Sequence, residues 1–239
     1  MAPAPPLAGQ VAIITGASRG IGRAIALALA GAGSHVALAA RSPGDLDAVA
    51  REAESRDVQA LAVPTDMRDA EAVARMVRLT LERFGRVDTL INNAGLGHFG
   101  AVDALPVEQF DEMLAVNLRG PFLATRAVVP AMKQQGGGAI VNIASVAGLV
   151  GNPNLSGYNA SKFGLMGFSE ATMLELRHAG IKVVAICPGS TATDFSGQKG
   201  AEGRLTADDV AEVTLAALTA SPNALVSQIH LRPLHPPRR

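Results

Sequence analysis

Residues 11–31 read VAIITGASRGIGRAIALALAG, and the joint inside that stretch decides the fold. An apolar run, VAIIT, ends in the glycine-rich turn TGASRGIG at 15–22, which opens directly into an Ala-rich helical pattern over Gly20 to Ala32. Gly16, Gly20 and Gly22 permit a tight turn and close backbone approach. The free NH groups and positive end of the helix are thereby presented to a pyrophosphate. Ser18, Arg19 and Ile21 fill the remaining positions of this candidate cofactor-binding turn. A glycine cluster alone would be weak evidence; the order strand, turn, helix is what carries the reading.

Outward from this unit, the pattern repeats. Short apolar runs begin at 35 (HVALAA), 58 (VQALAV), 87 (VDTLIN), 139 (AIVNIAS), 181 (IKVVAIC) and 225 (LVSQIHL), each reading as a buried strand. Helix-length patterns run from Asp45 to Arg56, Asp69 to Phe84, Val107 to Gln134, Gly157 to Ala179 and Thr206 to Ala220. The alternation predicts a single-domain α/β fold of the doubly wound Rossmann type, with a mostly parallel seven-stranded sheet and helices on both faces. With no composition break or long linker, residues 1–239 read as one domain, the Pro-rich ends 1–8 and 234–239 being expected to fray.

Composition excludes several classes. Lys plus Arg equals Asp plus Glu at 21 each, so no global positive field exists to attract nucleic acid or an anionic membrane. The charge-free spans 24–40 and 134–161 are broken by Gly, Asn and Pro, so neither supplies the ~20 continuous apolar residues of a membrane span. Cys187 is the sole cysteine, in an apolar strand pattern, which fits an inert thiol in an intracellular, cytoplasmic protein. The five histidines are scattered, without ligand spacing, so no metal is expected.

The only tyrosine, Tyr158, stands four positions before Lys162 in SGYNASKFG. On a helix the two share a face. A phenol has a pKa near ~10, too high for easy proton exchange at neutral pH. An ammonium at about 4 Å and an effective dielectric of about 20 contributes roughly 4 kcal/mol, or about three pKa units of depression. The pair therefore reads as a general acid/base with its charge partner.

The spacing T-G-x-x-x-G-x-G departs from the common G-x-G-x-x-G. Together with Asp66, NNAG at 92–95, Asn117, Ser145, YNASK at 158–162 and PGSTAT at 188–193, it resembles the short-chain dehydrogenase/reductase family over nearly the whole chain, including its 3-oxoacyl-carrier-protein reductases. The resemblance implies a catalytic set of Asn117, Ser145, Tyr158 and Lys162. It also implies that Asp66 accepts the adenine amino group with Met67 beside it, that Asn93, Ala94 and Gly95 pass under the ribose, and that Pro188, Gly189, Thr191 and Thr193 lie along the nicotinamide. Where NAD enzymes end the second strand with an acid, this chain has Ala40 followed by Arg41, so the expected cofactor is NADP, with NAD as the lesser candidate.

The expected activity is hydride transfer between nicotinamide and a small-molecule carbonyl or alcohol, with 3-oxoacyl thioesters or small ketones leading. An NAD-dependent alcohol dehydrogenase of the same family and a non-catalytic NADP-binding regulator remain as alternatives. Specificity is expected from 96–107, 146–155 and a Gly-rich lid at 194–205. Small residues along 157–167 and family habit point to a homo-oligomer, a tetramer or dimer.

Overall fold

The computed structural model describes residues 4–193, 195, 203–221 and 223–235. The strands are β1 Val11–Thr15, β2 His35–Ala40, β3 Ala60–Pro64, β4 Thr89–Asn92, β5 Gly138–Ile143, β6 Ile181–Pro188 and β7 Gln228–Leu231. Between them lie helices α1 Gly20–Gly31, α2 Pro43–Glu54, α3 Ala70–Phe84, α4 Val107–Leu114, α5 Gly120–Gln135, α6 Ser156–Leu176 and α7 Ala207–Leu218. Among the described residues there is one seven-stranded sheet in the order β3-β2-β1-β4-β5-β6-β7. Every pairing in it is parallel, where the sequence predicts a mostly parallel sheet.

All of β1 is buried because the sheet is covered on both faces. Strand alternation sends Ala12 and Ile14 into a core shared with Ile25 and Leu29 of α1, Leu46 of α2 and Val210 of α7. Ile13 points the other way, toward Met76 of α3 and Val128 and Met132 of α5. The chain winds outward from β1 to β3, returns, and winds the other way from β4. The order therefore reverses between β1 and β4, and a crevice is left beyond their carboxyl ends.

Two sequence expectations are corrected. The pattern over 107–134 predicts one helix, yet α4 and α5 are separated by a π-helical turn over Ala115–Arg119. Pro121 has no NH to donate to the Asn117 carbonyl four residues back, and the Gly120 NH bonds instead to the Ala115 carbonyl, one residue further than α geometry. The lead expected to fray is anchored from Leu7, which is 5 % exposed, and whose NH donates to the Ala32 carbonyl at 2.9 Å. Residues 1–3 and 236–239 of the expected frayed ends, and most of the expected 194–205 lid, lie outside the described residues.

Candidate functional site

A cleft of about 720 Å³ opens at the reversal point, its floor running from the β1–α1 turn to the start of α6. At its first end, Gly16 sits at φ +66° with no room for a side chain, since a Cβ would lie 2.8 Å from the Ala94 Cα. A Cβ on Gly22 would overlap the Gly16 carbonyl oxygen. Gly22 thus lies beneath the cleft and lets α1 seat against the turn, whereas Gly16, Ser18, Arg19, Gly20 and Ile21 line it. Arg19 begins α1 in extended conformation and offers no side-chain cap, and the first turn carries no acid. Its uncapped NH groups are left with the positive end of the helix dipole, which favours an anion.

The turn is held by β4. The Asn93 amide donates to the Thr15 carbonyl at 2.9 Å and the Gly16 carbonyl at 3.2 Å, while the Asn93 and Ala94 NH groups donate to the Thr15 hydroxyl. Asn93, Ala94 and Gly95 nevertheless all border the cleft. The rim beside β2 and β3 brings together Ala40, Arg41, Asp66 and Met67, and adds Ser42 and Asp45, which sequence reasoning missed. Neither Arg19 nor Arg41 bonds or ion-pairs through its side chain with a described residue. Asp66 is gripped by the Arg68 guanidinium at 2.6–3.0 Å, which holds its carboxyl below the usual range. The Arg68 side chain was not anticipated either.

At the far end, Ser145 follows β5 and Tyr158 and Lys162 stand on one buried face of α6. The Ser145 hydroxyl accepts from the Ala147 NH at 3.1 Å and stands close enough to the Tyr158 phenol to favour its ionisation slightly. Lys162 Nζ lies 5.8 Å from the centre of the Tyr158 ring and donates to the Ile143 carbonyl at 3.0 Å. The expected depression of the phenol by lysine is corrected here. Burial disfavours the phenolate and pushes Tyr158 up to about 12 against a smaller lowering by Ser145, and burial pulls Lys162 down to about 8. Desolvation wins because the ammonium spends its directed bond on a backbone oxygen rather than on the phenol. No residue type announces such a partner in a sequence.

Asn117, like Gly22, is a predicted site residue that the cleft leaves out. It is fully buried. Its Nδ2 donates to the Leu96 carbonyl at 2.8 Å and the Ser161 hydroxyl at 3.0 Å, and its Oδ1 accepts from the Leu96 NH at 2.9 Å. The side chain is thus committed to pinning the segment after β4. Pro188 at the end of β6, with Gly189, Thr191 and Thr193 after it, also lines the cleft, Thr193 lying against Gly20. Among the described residues there is no His, Cys, Asp and Glu group able to hold a metal, and no helix is long and apolar enough to cross a membrane.

This cleft couples an anion-binding turn to a buried phenol and ammonium, the parts needed to place a dinucleotide and exchange a proton beside it. Comparison with known proteins agrees. The chain is 41% identical over 197 residues to a 3-oxoacyl-[acyl-carrier-protein] reductase of Synechocystis, covering 82% of this chain and 80% of that one. It is 40% identical over 186 residues to a D-beta-hydroxybutyrate dehydrogenase of Rhizobium meliloti, covering 77% and 72%. An alcohol dehydrogenase of Thermococcus sibiricus complexed with 5-hydroxy-NADP superposes with a TM-score of 0.90 at 33% identity, over 96% of this chain and 99% of that one. An NAD+-bound xylitol dehydrogenase superposes at 0.87 and 28%, over 95% and 99%. The family model described as short chain dehydrogenase matches residues 10–203. The chain belongs to the short-chain dehydrogenase/reductase family and is an oxidoreductase acting on hydroxyl and carbonyl groups with a nicotinamide cofactor.

Proposed function

We propose that this chain is an NADP(H)-dependent carbonyl reductase in which Tyr158 is the general acid/base, Ser145 polarises the carbonyl and Lys162 supplies the positive charge. The observation that carries this reading is the convergence of Ser145, Tyr158 and buried Lys162 on one cleft, with Lys162 Nζ 5.8 Å from the centre of the Tyr158 ring, at the opposite end of that cleft from the glycine turn. The bound nicotinamide supplies the hydride or accepts it. Tyr158, protonated throughout the neutral range, gives its proton to the carbonyl oxygen, and the Ser145 hydroxyl donates to the same oxygen. In the reverse direction the phenol must first lose that proton, so alcohol oxidation is the more demanding direction at neutral pH. Asn117 positions Leu96 and, through the backbone after β4, the wall of the cleft.

The residues at the rim fit a 2'-phosphate. Ala40 stands where an acid would repel it, neither Arg19 nor Arg41 makes a side-chain hydrogen bond with a described residue, and Ser42 begins α2 without using its hydroxyl as a cap. Asp45 on the same rim and the NAD+-bound neighbour favour a second reading, an NAD-dependent alcohol dehydrogenase. Substrates in the 3-oxoacyl thioester or small-ketone class, suggested by the Synechocystis relative, lead the first reading. Cytoplasmic location is part of the same proposal, and cell fractionation tests it.

Steady-state assays with a carbonyl panel, run with NADPH and NADH, test the whole. The expected result is higher kcat/KM with NADPH and a loss in kcat of at least about a hundredfold in Tyr158→Phe, with the cofactor still bound. A clear NADH preference moves the chain to the second reading. Turnover near wild type in Tyr158→Phe removes the acid.

A further inference from the structure

Beyond the hydroxyl of Tyr158, the wall of the cleft is built from two aromatic rings. Phe99, from the segment after β4, meets the Tyr158 ring edge-on with centroids 6.0 Å apart, and Phe195 meets it tilted at 5.8 Å. Both rings are among the large hydrophobic side chains left exposed, and both line the cleft. They converge over Gly97, where a Cβ would lie 2.9 Å from Phe99 Cζ and 3.2 Å from Phe195 Cζ. Glycine at 97 thus leaves room for both rings to reach the phenol ring. Leu96, Val146 and Leu155 continue the apolar lining.

Charge is distributed unevenly along the cleft. Arg19, Arg41, Asp45 and Asp66 line the half near the first three strands. Among the described residues, the one charged side chain lining the Tyr158 end is Lys162, and its ammonium is directed to the Ile143 carbonyl. A substrate carboxylate there would be desolvated without a cation dedicated to it, and the hydroxyls of a polyol would meet the two rings, with Asn152 as a polar neighbour whose amide already donates to the Val150 carbonyl. A ketone with an alkyl or aryl arm would instead bury that arm against two ring faces and edges.

We infer that Phe99 and Phe195 are specificity-determining residues that select neutral ketones, or the matching secondary alcohols, carrying an apolar alkyl or aryl arm, against hydroxy acids and polyols. The inference rests on the placement of the reacting carbonyl at Tyr158. Oxidation of both NADPH and NADH is followed with butanone, 2-octanone, acetophenone, acetoacetate and a ketose, in the wild type, Phe99→Ala, Phe195→Ala and the corresponding leucine variants. The expected kcat/KM for 2-octanone and acetophenone exceeds that for acetoacetate and the ketose by at least about tenfold. The 2-octanone to butanone ratio falls about tenfold in each alanine variant and is largely restored by leucine, which returns apolar surface without the ring.

Acetoacetate or the ketose as the best substrate overturns the inference, as does failure to reduce any neutral ketone. A 2-octanone to butanone ratio that both alanine variants leave unmoved also overturns it, because the rings would then merely brace Tyr158. Tyr158→Phe, assayed beside them, separates the two levels. Loss of all turnover in that variant with no arm-length preference in the wild type sinks this inference alone, whereas retained turnover sinks the acid assignment.

Discussion

Lys162 carries its ammonium into the protein interior, and that placement sets a cost. With its pKa near 8 in the fold against 10.5 for the free side chain, the charged form is disfavoured by about 3 kcal/mol. Below pH 8 the folded chain carries this penalty in full. Between about 8 and 10.5 the folded state sheds its proton while the unfolded state keeps it, so stability rises with pH. Tyr158 acts oppositely at higher pH, because the unfolded phenol ionises near 10 and the buried one near 12, so its contribution is lost as pH rises through that window. Lys162→Met is expected to raise the melting temperature of the cofactor-free chain at pH 7 by a few degrees, about 1–2 kcal/mol net of the lost bond to Ile143. The same variant should lose most turnover and the stability rise between pH 8 and 10.5. Thermal and urea unfolding at pH 7 and pH 9.5 check it, and a lower melting temperature at pH 7 would contradict the burial cost. Tyr158 and Lys162 are legible as a pair from their helical spacing. The sign of the phenol's shift is not, because it depends on burial and on where the ammonium points.

The elements position these groups by contact rather than by propensity. Gly22 lets the first turn of α1 lie on the Gly16 carbonyl, and Gly44 in the first turn of α2 has nothing within 4 Å of its missing Cβ. Gly22→Ala should therefore cost several kcal/mol by forcing helix from turn, lowering the melting temperature by about 5 °C or more and weakening cofactor binding. Gly44→Ala should be neutral or stabilise by up to about 1 kcal/mol. Calorimetry of the two variants checks the contrast, and equal effects would refute it. Both glycines look alike as letters in the sequence, and only the neighbouring element tells them apart. The π turn at Ala115–Arg119 was half legible. Pro121 announces a break in the helical bonding, yet that the turn buries Asn117 and bonds it to the Leu96 backbone, in a different part of the chain, shows only in the folded structure.

For the whole molecule, we propose that residues 1–239 act as one domain and assemble as a homotetramer through α4, α5 and α6. Support comes from a groove lined by Leu114, Leu118, Phe122 and Phe168, and from exposed Phe163 and Leu174 nearby. Light scattering at micromolar concentration should give about four times the 24.5 kDa chain mass, and Phe122→Asp should shift it toward smaller species. A wild-type monomer would overturn the assembly, and two separate unfolding transitions would overturn the single domain.

Periodicity and punctuation in the sequence determined the alternating strands and helices and the glycine turn after β1. They also put Tyr158 and Lys162 on one helical face, because these are local properties that span no more than a few turns of chain. Tertiary structure decided the rest. It spent Asn117 on Leu96, it turned the ammonium of Lys162 toward a backbone carbonyl, and it set Phe99 and Phe195 against the phenol. Each of these joins groups brought together by packing, and the desolvation that governs their chemistry exists only once the sheet and its helices have excluded water.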